Sequence, residues 1–320
     1  MANSTNSDSD LRVRRRRFRW VAVAVACALL AVVAPFVVPI PFRPKTPGRI
    51  RFALCQYESR VGDVRWSFEN AMRFAQEAAD HKADVVVLPE FSFSSTFDVA
   101  QGKARFNLRK RRYTRWGIRH FVRSTGCYLI VNHHDGVRQG TNVTSRNETL
   151  VFAPGGHVVT NYCKRLLSSM DVSFLFTAGD RPVIADFPFG RVGLMICRDS
   201  STPMRFTLYR QADLVLIQFA NIGRWTEEIG PLGRAFPASK LQEDFDLIGR
   251  RCAEKLLHPV LMVNKTGLEG KYFYAGGSRA VATDGTVVGS LDSGNGILYV
   301  DFRLGKDGRI LPEPPVIPEL

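Results

Sequence analysis

The chain has 320 residues, of which 45% are hydrophobic and 23% are charged, and its formal net charge is +14. This length allows a full hydrophobic core, and this composition excludes an intrinsically disordered chain. None of the six cysteines forms a CxxC pair, which argues against a zinc ribbon or a thioredoxin-like motif. The positive charge suits nucleic acid or an anionic membrane surface as a partner and does not separate the two.

The N-terminal region has the pattern of a membrane anchor. Six arginines lie between Arg12 and Arg19, and the 21 residues from Trp20 to Ile40 carry no charge. About 20 apolar residues cross a bilayer as a helix, and basic flanks stay in the cytoplasm. We therefore predict a cytoplasmic basic segment at 1–19, a single transmembrane helix at 20–40, and a body that lies outside the cytoplasm.

A cleaved signal peptide is the alternative for this region. It is disfavoured because the cleavage site is poor, since Ala34 is followed at once by Pro35. Prolines recur as far as Pro47 and prevent a regular helix, so residues 41–48 are predicted to form an extended spacer. The folded domain is predicted to cover 49–305, and an extended tail to cover 306–320.

Strand and helix patterns alternate along the body, which predicts an α/β domain with a mixed sheet. The predicted elements in chain order are strand 50–58, helix 66–81, strand 84–91, helix 105–124, strands 127–132, 149–152, 157–162, 182–187, 192–197 and 214–219, helix 241–257, and strands 259–264, 278–283, 286–290 and 297–302. Asp63 is the predicted cap of the first helix. Asp284-Gly285 predicts a tight hairpin turn.

Three polar residues stand at the ends of predicted strands. Glu90 ends VVVLPE, Lys164 follows HVVTNYC, and Cys197 ends VGLMIC. A thiol at a turn from a strand into a helix gains backbone N–H groups, so we expect the thiolate to be favoured there. Hydrolysis of an amide needs a nucleophile, a proton shuttle and an oxyanion stabiliser, and these residue types supply all three. Taken singly, an inert core thiol and solvated strand ends are the alternative interpretation.

In order and spacing these motifs resemble the nitrilase, or carbon–nitrogen hydrolase, superfamily. The matching stretches are Val87-Leu88-Pro89-Glu90, the Pro154-Gly155-Gly156 turn that leads to Tyr162-Cys163-Lys164, and Gly193 to Cys197 with Asp199. The resemblance covers Arg49 to Phe302. It implies an α/β fold built as a four-layer α-β-β-α sandwich, and it suggests a homo-oligomer.

The resemblance also implies the chemistry. Cys197 is the nucleophile, Glu90 the general base, and Lys164 and the backbone N–H of Arg198 the oxyanion stabilisers. Asp171 is the nearest candidate for a second carboxylate that orients the lysine. The implied activity is that of a thiol hydrolase, which cleaves a non-peptide carbon–nitrogen bond of a small amide through a thioester, with no metal or other cofactor.

Arg198 and Trp225 each have two interpretations. Arg198 stands where the family usually has an aromatic residue, so its guanidinium either holds an anionic substrate group or pairs with an acidic neighbour. Trp225 follows Ala220-Asn221-Ile222-Gly223 in a predicted loop, where it either walls the pocket or belongs to the core.

The segment from Lys103 to Arg123 contains nine basic residues and no acidic residue. It predicts either a solvated helix face or a contact with anionic lipid. Nucleic acid is not expected, because no nucleic-acid module accompanies the charge. Two alternative functions remain open on the same fold: an N-acyltransferase, which passes the acyl group to an amine, and a catalytically silent binding domain.

Overall fold

The structure, a computed structural model, describes residues 41–96, 108–139, 142–173, 175–202, 207–225, 238–270 and 272–319. The predicted cytoplasmic segment and transmembrane helix lie outside these ranges. No helix within them is long and apolar enough to cross a membrane. Residues Phe42–Leu320 form one structural unit.

Helices and strands alternate along this unit. The helices are α1 (Val64–Asp80), α2 (Leu108–Thr125), α3 (Ser169–Ser173) and α4 (Ala238–Leu256), and a 3-10 turn covers Cys197–Ser201. The strands are β1 (Arg49–Gln56), β2 (Val85–Val87), β3 (Tyr128–Gln139), β4 (Asn142–Phe152), β5 (Val158–Cys163), β6 (Val183–Phe187), β7 (Gly190–Ile196), β8 (Leu214–Gln218), β9 (Ile222–Trp225), β10 (Val260–Val263), β11 (Thr266–Glu269), β12 (Tyr272–Ala275), β13 (Arg279–Val281), β14 (Val287–Ser290) and β15 (Gly296–Arg303).

The described strands form two six-stranded sheets and one small sheet. The first sheet has the order β15-β1-β2-β3-β4-β5, and the second has the order β14-β13-β10-β8-β7-β6. Each has three parallel strands at its centre: β1, β2 and β3 in the first, and β7, β8 and β10 in the second. The small sheet has the order β11-β12-β9.

The alternation of side chains along β1 explains how the layers stack. Phe52 and Leu54 point into a core shared with Leu194 of the second sheet. Ala53 and the residues in phase with it point the other way, into a second core under α1 and α2. A third core lies between the second sheet and α4. The result is the predicted mixed α/β fold, with helices outside two facing sheets.

Helix α1 shows how the local sequence sets an element. Asp63 accepts a 2.8 Å hydrogen bond from Trp66 N, which satisfies a donor that the first turn leaves free. A cap of this kind stabilises a helix by about 1 kcal/mol. Phe68, Ala71 and Ala75 recur at helical spacing and are buried against the first sheet. The predicted cap is confirmed.

The start of the body differs from the prediction. Phe42 packs on Tyr128 and Phe189, with ring centroids 5.1 and 5.6 Å apart. The backbone N–H of Lys45 donates to Asp84 Oδ1 over 2.7 Å. Residues 42–48 are therefore part of the fold rather than a free spacer, because an aromatic ring next to the core gains more by burial than by exposure. At the other end, Val316 in the predicted tail exchanges two backbone hydrogen bonds with Asp301.

Two strand predictions were also incomplete. β3 and β4 form a hairpin that runs well past the apolar stretches at 127–132 and 149–152. The small third sheet was not predicted, because β11 and β12 are four residues each and Gly267 interrupts the apolar pattern. Pairing register rather than hydrophobic alternation holds both of these features in place.

The ends of the parallel strands determine where the candidate site lies. Glu90 follows the carboxyl end of β2, Cys197 follows the carboxyl end of β7, and Ala220 follows that of β8. Ligands bind outside the carboxyl ends of strands in α/β sheets. Lys45 precedes the amino end of β1, so the point where the chain enters the fold and the candidate site lie at opposite ends of the sheets.

Candidate active site

Glu90 is a buried carboxylate with three donors. Its Oε1 accepts hydrogen bonds from Lys164 Nζ and from Asn147 Nδ2, each 2.8 Å long. Its Oε2 accepts from the backbone N–H of Ala220 over 2.9 Å. A carboxylate that is only 2% exposed needs such donors, because an unpaired buried charge costs several kcal/mol. These bonds fix the orientation of the carboxylate.

Lys164 lies between two carboxylates. Its Nζ is 2.8 Å from Glu90 Oε1 and 2.8 Å from Asp171 Oδ2, and all three side chains are buried. Asp171 is held in turn by Ser168, whose backbone N–H and hydroxyl both donate to Oδ2 over 2.7 Å. The short helix α3 therefore presents Asp171 to the lysine, and the predicted second carboxylate lies against its expected partner.

Cys197 begins the 3-10 turn at the end of β7. Its φ is +44°, a left-handed conformation that is uncommon and strained for a residue with a Cβ. The side chain is partly exposed, whereas Ile196 before it is buried in the core between the sheets. The charges of Glu90, Lys164 and Asp171 all act on the thiol. The structure thus brings the predicted nucleophile, base and lysine together.

The charges of the cluster set its protonation. Burial raises the pKa of the Cys197 thiol, and Glu90 raises it further, while Lys164 lowers it. Burial also raises the pKa of Glu90, partly offset by Lys164. Burial alone would lower the pKa of Lys164, but Glu90, Cys197 and Asp171 together raise it. The expectation of a favoured thiolate is therefore wrong, because burial and the negative charge of Glu90 outweigh the lysine.

Asp199 braces the turn that carries the nucleophile. Its Oδ2 accepts from the Tyr162 hydroxyl over 2.6 Å and from Ile196 N over 3.0 Å. Its Oδ1 accepts from the backbone N–H groups of Arg165 and Leu166 over 3.1 and 2.8 Å. One buried carboxylate thereby joins both sides of the site. The sequence signal was present, because an acidic residue follows the cysteine in the motif, but its role was not assigned.

Two further polar residues were missed. Asn132 Nδ2 donates to Asn147 Oδ1 over 2.8 Å, and Asn147 donates on to Glu90. Asn132 Oδ1 also accepts from Phe91 N over 2.7 Å. Phe91 has a φ of +54°, so the backbone turns sharply just after the carboxylate. These hydrogen bonds, called the Asn132 relay below, hold the backbone turn after Glu90 against β3 and β4.

An apolar wall adjoins the cluster. The rings of Phe91 and Phe176 stack with centroids 6.2 Å apart, and Leu167 and Ala220 pack against them. This group is separate from the three main cores. Because Phe91 follows Glu90 directly and Ala220 donates to it, the wall offers an apolar contact for the part of a substrate that lies beside the carboxylate.

Arg198 and Trp225 are placed differently from the other predicted residues. Arg198 is exposed and makes no ion pair with a carboxylate in the described part of the chain. Both of its predicted roles stay predictions. Trp225 ends strand β9 and pairs with Tyr272 of β12, so the predicted loop at this position is wrong. The pattern was too short to show the strand.

A second buried ion pair lies behind the Glu90 turn. Lys265 and Glu269 are fully buried and contact each other. Lys265 Nζ donates to Ser94 O over 3.0 Å, and Thr96 N donates to Glu269 Oε2 over 2.7 Å. Two charges in the core are costly unless they are paired and hydrogen bonded, as they are here. The pair therefore fixes the loop that continues from Glu90.

The described chain thus has two facing sheets with a glutamate, a lysine and a cysteine near the ends of their strands. The family model for carbon–nitrogen hydrolases matches residues 51–308, and the chain belongs to that family. No curated protein sequence matches the chain.

Solved structures of an amidase from Nesterenkonia are similar to this chain. A cysteine-to-alanine mutant of the Nesterenkonia AN1 amidase, from the nitrilase superfamily, has a TM-score of 0.66 and 20% identity, over 81% of this chain and 92% of that chain. The amidase itself has the same TM-score and coverage at 21% identity. A further structure of it, again at a TM-score of 0.66, 21% identity and the same coverage, shows the acetamide moiety of fluoroacetamide added covalently at its active-site cysteine. At these identities the likeness shows the fold.

Proposed function

We propose that the chain is a membrane-anchored amidase that cleaves a non-peptide carbon–nitrogen bond through a thioester on Cys197. One observation carries the proposal: the buried ion-pair array of Glu90, Lys164 and Asp171 acts on a partly exposed cysteine at the end of a strand. Two carboxylates, an ammonium group and a strained cysteine that meet at the ends of buried strands are typical of a catalytic site.

In the first half of the reaction, the thiol of Cys197 attacks the amide carbon and its proton passes to Glu90. The raised pKa of Glu90 suits this step, because it brings the basicity of the carboxylate closer to that of the thiol. The carbonyl oxygen becomes an oxyanion. Lys164, which stays protonated, and the backbone N–H of Arg198 stabilise that charge.

In the second half, Glu90 returns the proton to the nitrogen as the carbon–nitrogen bond breaks. The amine or ammonia leaves, and the acyl group remains on Cys197 as a thioester. Glu90 then accepts a proton from water while the water oxygen attacks the thioester carbon. The carbon–sulfur bond breaks, the acid leaves, and the proton goes back to the sulfur of Cys197.

The membrane part of the proposal is supported by the sequence. The uncharged stretch at 20–40 is long enough to span a bilayer, and the arginines before it favour a cytoplasmic N-terminus. The candidate site lies at the end of the sheets away from the entry point at Lys45. Under this proposal the site opens toward soluble amides outside the cytoplasm.

Intact-mass measurement tests the chemistry. The protein is incubated with a panel of small aliphatic amides and nitriles, and ammonia release is measured in parallel. We expect an acyl adduct on the wild-type protein and none on Cys197→Ala. Cys163→Ala is the matched control, because it removes another partly exposed thiol one residue from Lys164. Ammonia release by folded Cys197→Ala would refute the proposal.

An amine acceptor added to the same assay identifies the second step. Release of the free acid in the presence of the acceptor supports hydrolysis. Quantitative transfer of the acyl group to the amine would replace the amidase by an N-acyltransferase with the same nucleophile.

A further inference from the structure

Helix α2 exposes aromatic and basic side chains together. Five of its described residues are exposed side by side and are called the α2 face below: Tyr113, Arg115, Trp116, Arg119 and His120. Trp116 is 62% exposed and Tyr113 is 48% exposed. A tryptophan that is mostly exposed on a well-packed helix is unusual and indicates a surface that meets a partner.

The rest of α2 is fixed to the body, so this face is rigid. Ile118, Phe121 and Val122 are buried against the first sheet. Gly117 lets α2 approach α1 closely, because a Cβ there would lie 2.9 Å from the ring of Phe68. With 3.6 residues per turn, the remaining positions divide into an aromatic edge and an arginine edge.

The aromatic edge holds a stacked pair. Trp116 and His120 lie with ring centroids 5.4 Å apart and nearly parallel planes. Tyr113 contacts Phe68 edge-on and extends the same edge by one turn. The amphipathic rings of Trp and Tyr prefer the headgroup level of a bilayer, where one side of the ring is apolar and the other is hydrated.

The arginine edge lacks counter-charges. Arg115 and Arg119 are exposed and form no ion pair with a carboxylate among the described residues. The sequence has no acidic residue between Lys103 and Arg123. A second copy of this chain would bring the same positive charges to the face and be repelled. An anionic surface is the complementary partner, and arginine forms paired hydrogen bonds with phosphate.

Chain connectivity brings this helix close to the proposed anchor. Lys45 Nζ lies 2.9 Å from Cys127 Sγ, and Cys127 follows the end of α2 by two residues. Lys45 is five residues beyond Ile40, a distance of at most about 18 Å along an extended chain. An anchor that ends at Ile40 therefore keeps the end of α2 within reach of the membrane surface.

We propose that the α2 face docks on the anionic phospholipid headgroups of the membrane in which the chain is anchored. The arginine edge contacts the phosphates, and Trp116 enters the headgroup layer. This inference rests on the proposed anchor and adds a second contact that sets the orientation of the body. It does not depend on the amidase chemistry.

The test uses the full chain in lipid nanodiscs that contain brominated lipids, which quench tryptophan fluorescence. One set of discs contains phosphatidylcholine only, and the other contains phosphatidylcholine and phosphatidylglycerol at 7:3. Because the chain has four tryptophans, the difference between the wild type and Trp116→Phe isolates the quenching of Trp116. We expect Trp116 fluorescence to be quenched in the anionic discs. This quenching should be lost in 1 M salt, where charges are screened beyond about 3 Å.

Two charge variants complete the test. Arg115→Gln/Arg119→Gln should lower the ratio of docked to undocked protein about 30-fold. Arg250→Gln/Arg251→Gln on α4 is the matched control, because it removes the same charge from two exposed positions of a helix that packs on the other sheet, and it should leave quenching unchanged.

Other outcomes separate the two proposals. If the chain does not enter neutral discs, the anchor fails, and flotation with anionic vesicles still tests the α2 face. Equal quenching of Trp116 in neutral and anionic discs would overturn the proposal that anionic headgroups hold the α2 face. If Trp116 is quenched in neither kind of disc and the protein binds duplex DNA through Arg115 and Arg119, the partner of the α2 face is nucleic acid and the lipid proposal is wrong.

Discussion

The hydroxyl of Tyr162 donates a 2.6 Å hydrogen bond to Asp199 Oδ2. Tyr162 lies on β5, two residues before Lys164, and Asp199 lies in the turn that begins at Cys197. Both side chains are buried, so water does not compete for this bond. The bond therefore links β5 to the turn of the nucleophile, beside the two bonds that the backbone N–H groups of Arg165 and Leu166 donate to the same carboxylate.

Removing this bond should impair catalysis more than binding. Tyr162→Phe leaves Asp199 with its three backbone donors but frees the turn from β5. A hydrogen bond to a charged group contributes about 1.5–3 kcal/mol, so both the free energy of unfolding and kcat should fall, while KM changes little. Steady-state kinetics and urea unfolding measure the two effects.

Tyr128→Phe is the control, because it removes a tyrosine hydroxyl at the start of β3 that contacts no site residue. Equal effects of the two variants on kcat would mean that the bond from Tyr162 does not position the nucleophile.

Glu90 and Cys197 could be found from the sequence because each ends an apolar run, and ends of neighbouring strands meet in space. Lys164 follows the mostly exposed β5 and was found through its motif. Asn147 lies among other polar residues and carries no such signal, and Asn132 ends an apolar run but was assigned only to the strand. Their contact depends on the register of β3 against β4, which pairs Asn132 with Thr149. Register is a property of the folded hairpin and not of either strand alone.

The layered fold could also be predicted from the sequence, but the contacts made by the two ends of the folded domain could not. The alternating strand and helix patterns predict a layered α/β domain, and Asp63 predicts the start of a helix. Phe42 was assigned to a spacer because prolines surround it, although the ring lies against Tyr128. A local rule about proline excludes a helix, but it does not exclude tertiary packing of the residue between the prolines.

Asp171 should set the pH range of activity. Its negative charge raises the pKa of Glu90, Lys164 and Cys197. Glu90 must be ionised to accept a proton, so a lower pKa moves the acidic limb of the profile to lower pH. Lys164 must be protonated, so a lower pKa moves the alkaline limb in the same direction. We expect the whole kcat/KM profile of Asp171→Asn to shift to lower pH.

Asp171→Glu is the matched variant, because it keeps the negative charge. Its profile should stay close to that of the wild type. A profile of Asp171→Asn that is unchanged in position, with only a lower maximum, would show that Asp171 orients Lys164 without tuning the cluster.

Truncation should separate the proposed anchor from the fold. Deletion of residues 1–41 should give a soluble protein with wild-type unfolding behaviour. Deletion of residues 1–48 also removes Phe42 and Lys45, and should lower stability by about 1–3 kcal/mol, since the partly buried ring of Phe42 packs on the core. Phe42→Ala in the shorter truncation isolates the ring.

A reporter fused to the C-terminus of the full chain tests the orientation of the anchor. We expect its signal outside the cytoplasm, because the arginines between Arg12 and Arg19 precede the apolar stretch. A cytoplasmic signal would show that the proposed orientation is wrong. Recovery of the full chain in the soluble fraction would refute the proposed membrane anchor.

The buried pair of Lys265 and Glu269 should behave as a unit. Lys265→Met leaves Glu269 charged and without its partner in the core, which costs about 3–5 kcal/mol. Glu269→Gln leaves the lysine in the same state. The double variant removes both charges and should be more stable than the sum of the single effects predicts. The unfolding free energies of the four proteins form a double-mutant cycle, and additive losses would show that the pair is not coupled.

The same variants should report on Glu90, because Lys265 binds Ser94 O and Glu269 binds Thr96 N. Freeing these two backbone groups loosens the loop that follows the Phe91 turn. The double variant should therefore recover stability without recovering kcat, since Met and Gln cannot hold both groups at once. Full recovery of kcat together with stability would mean that the donors to Glu90 position the carboxylate without the ion pair, which then only fills the core.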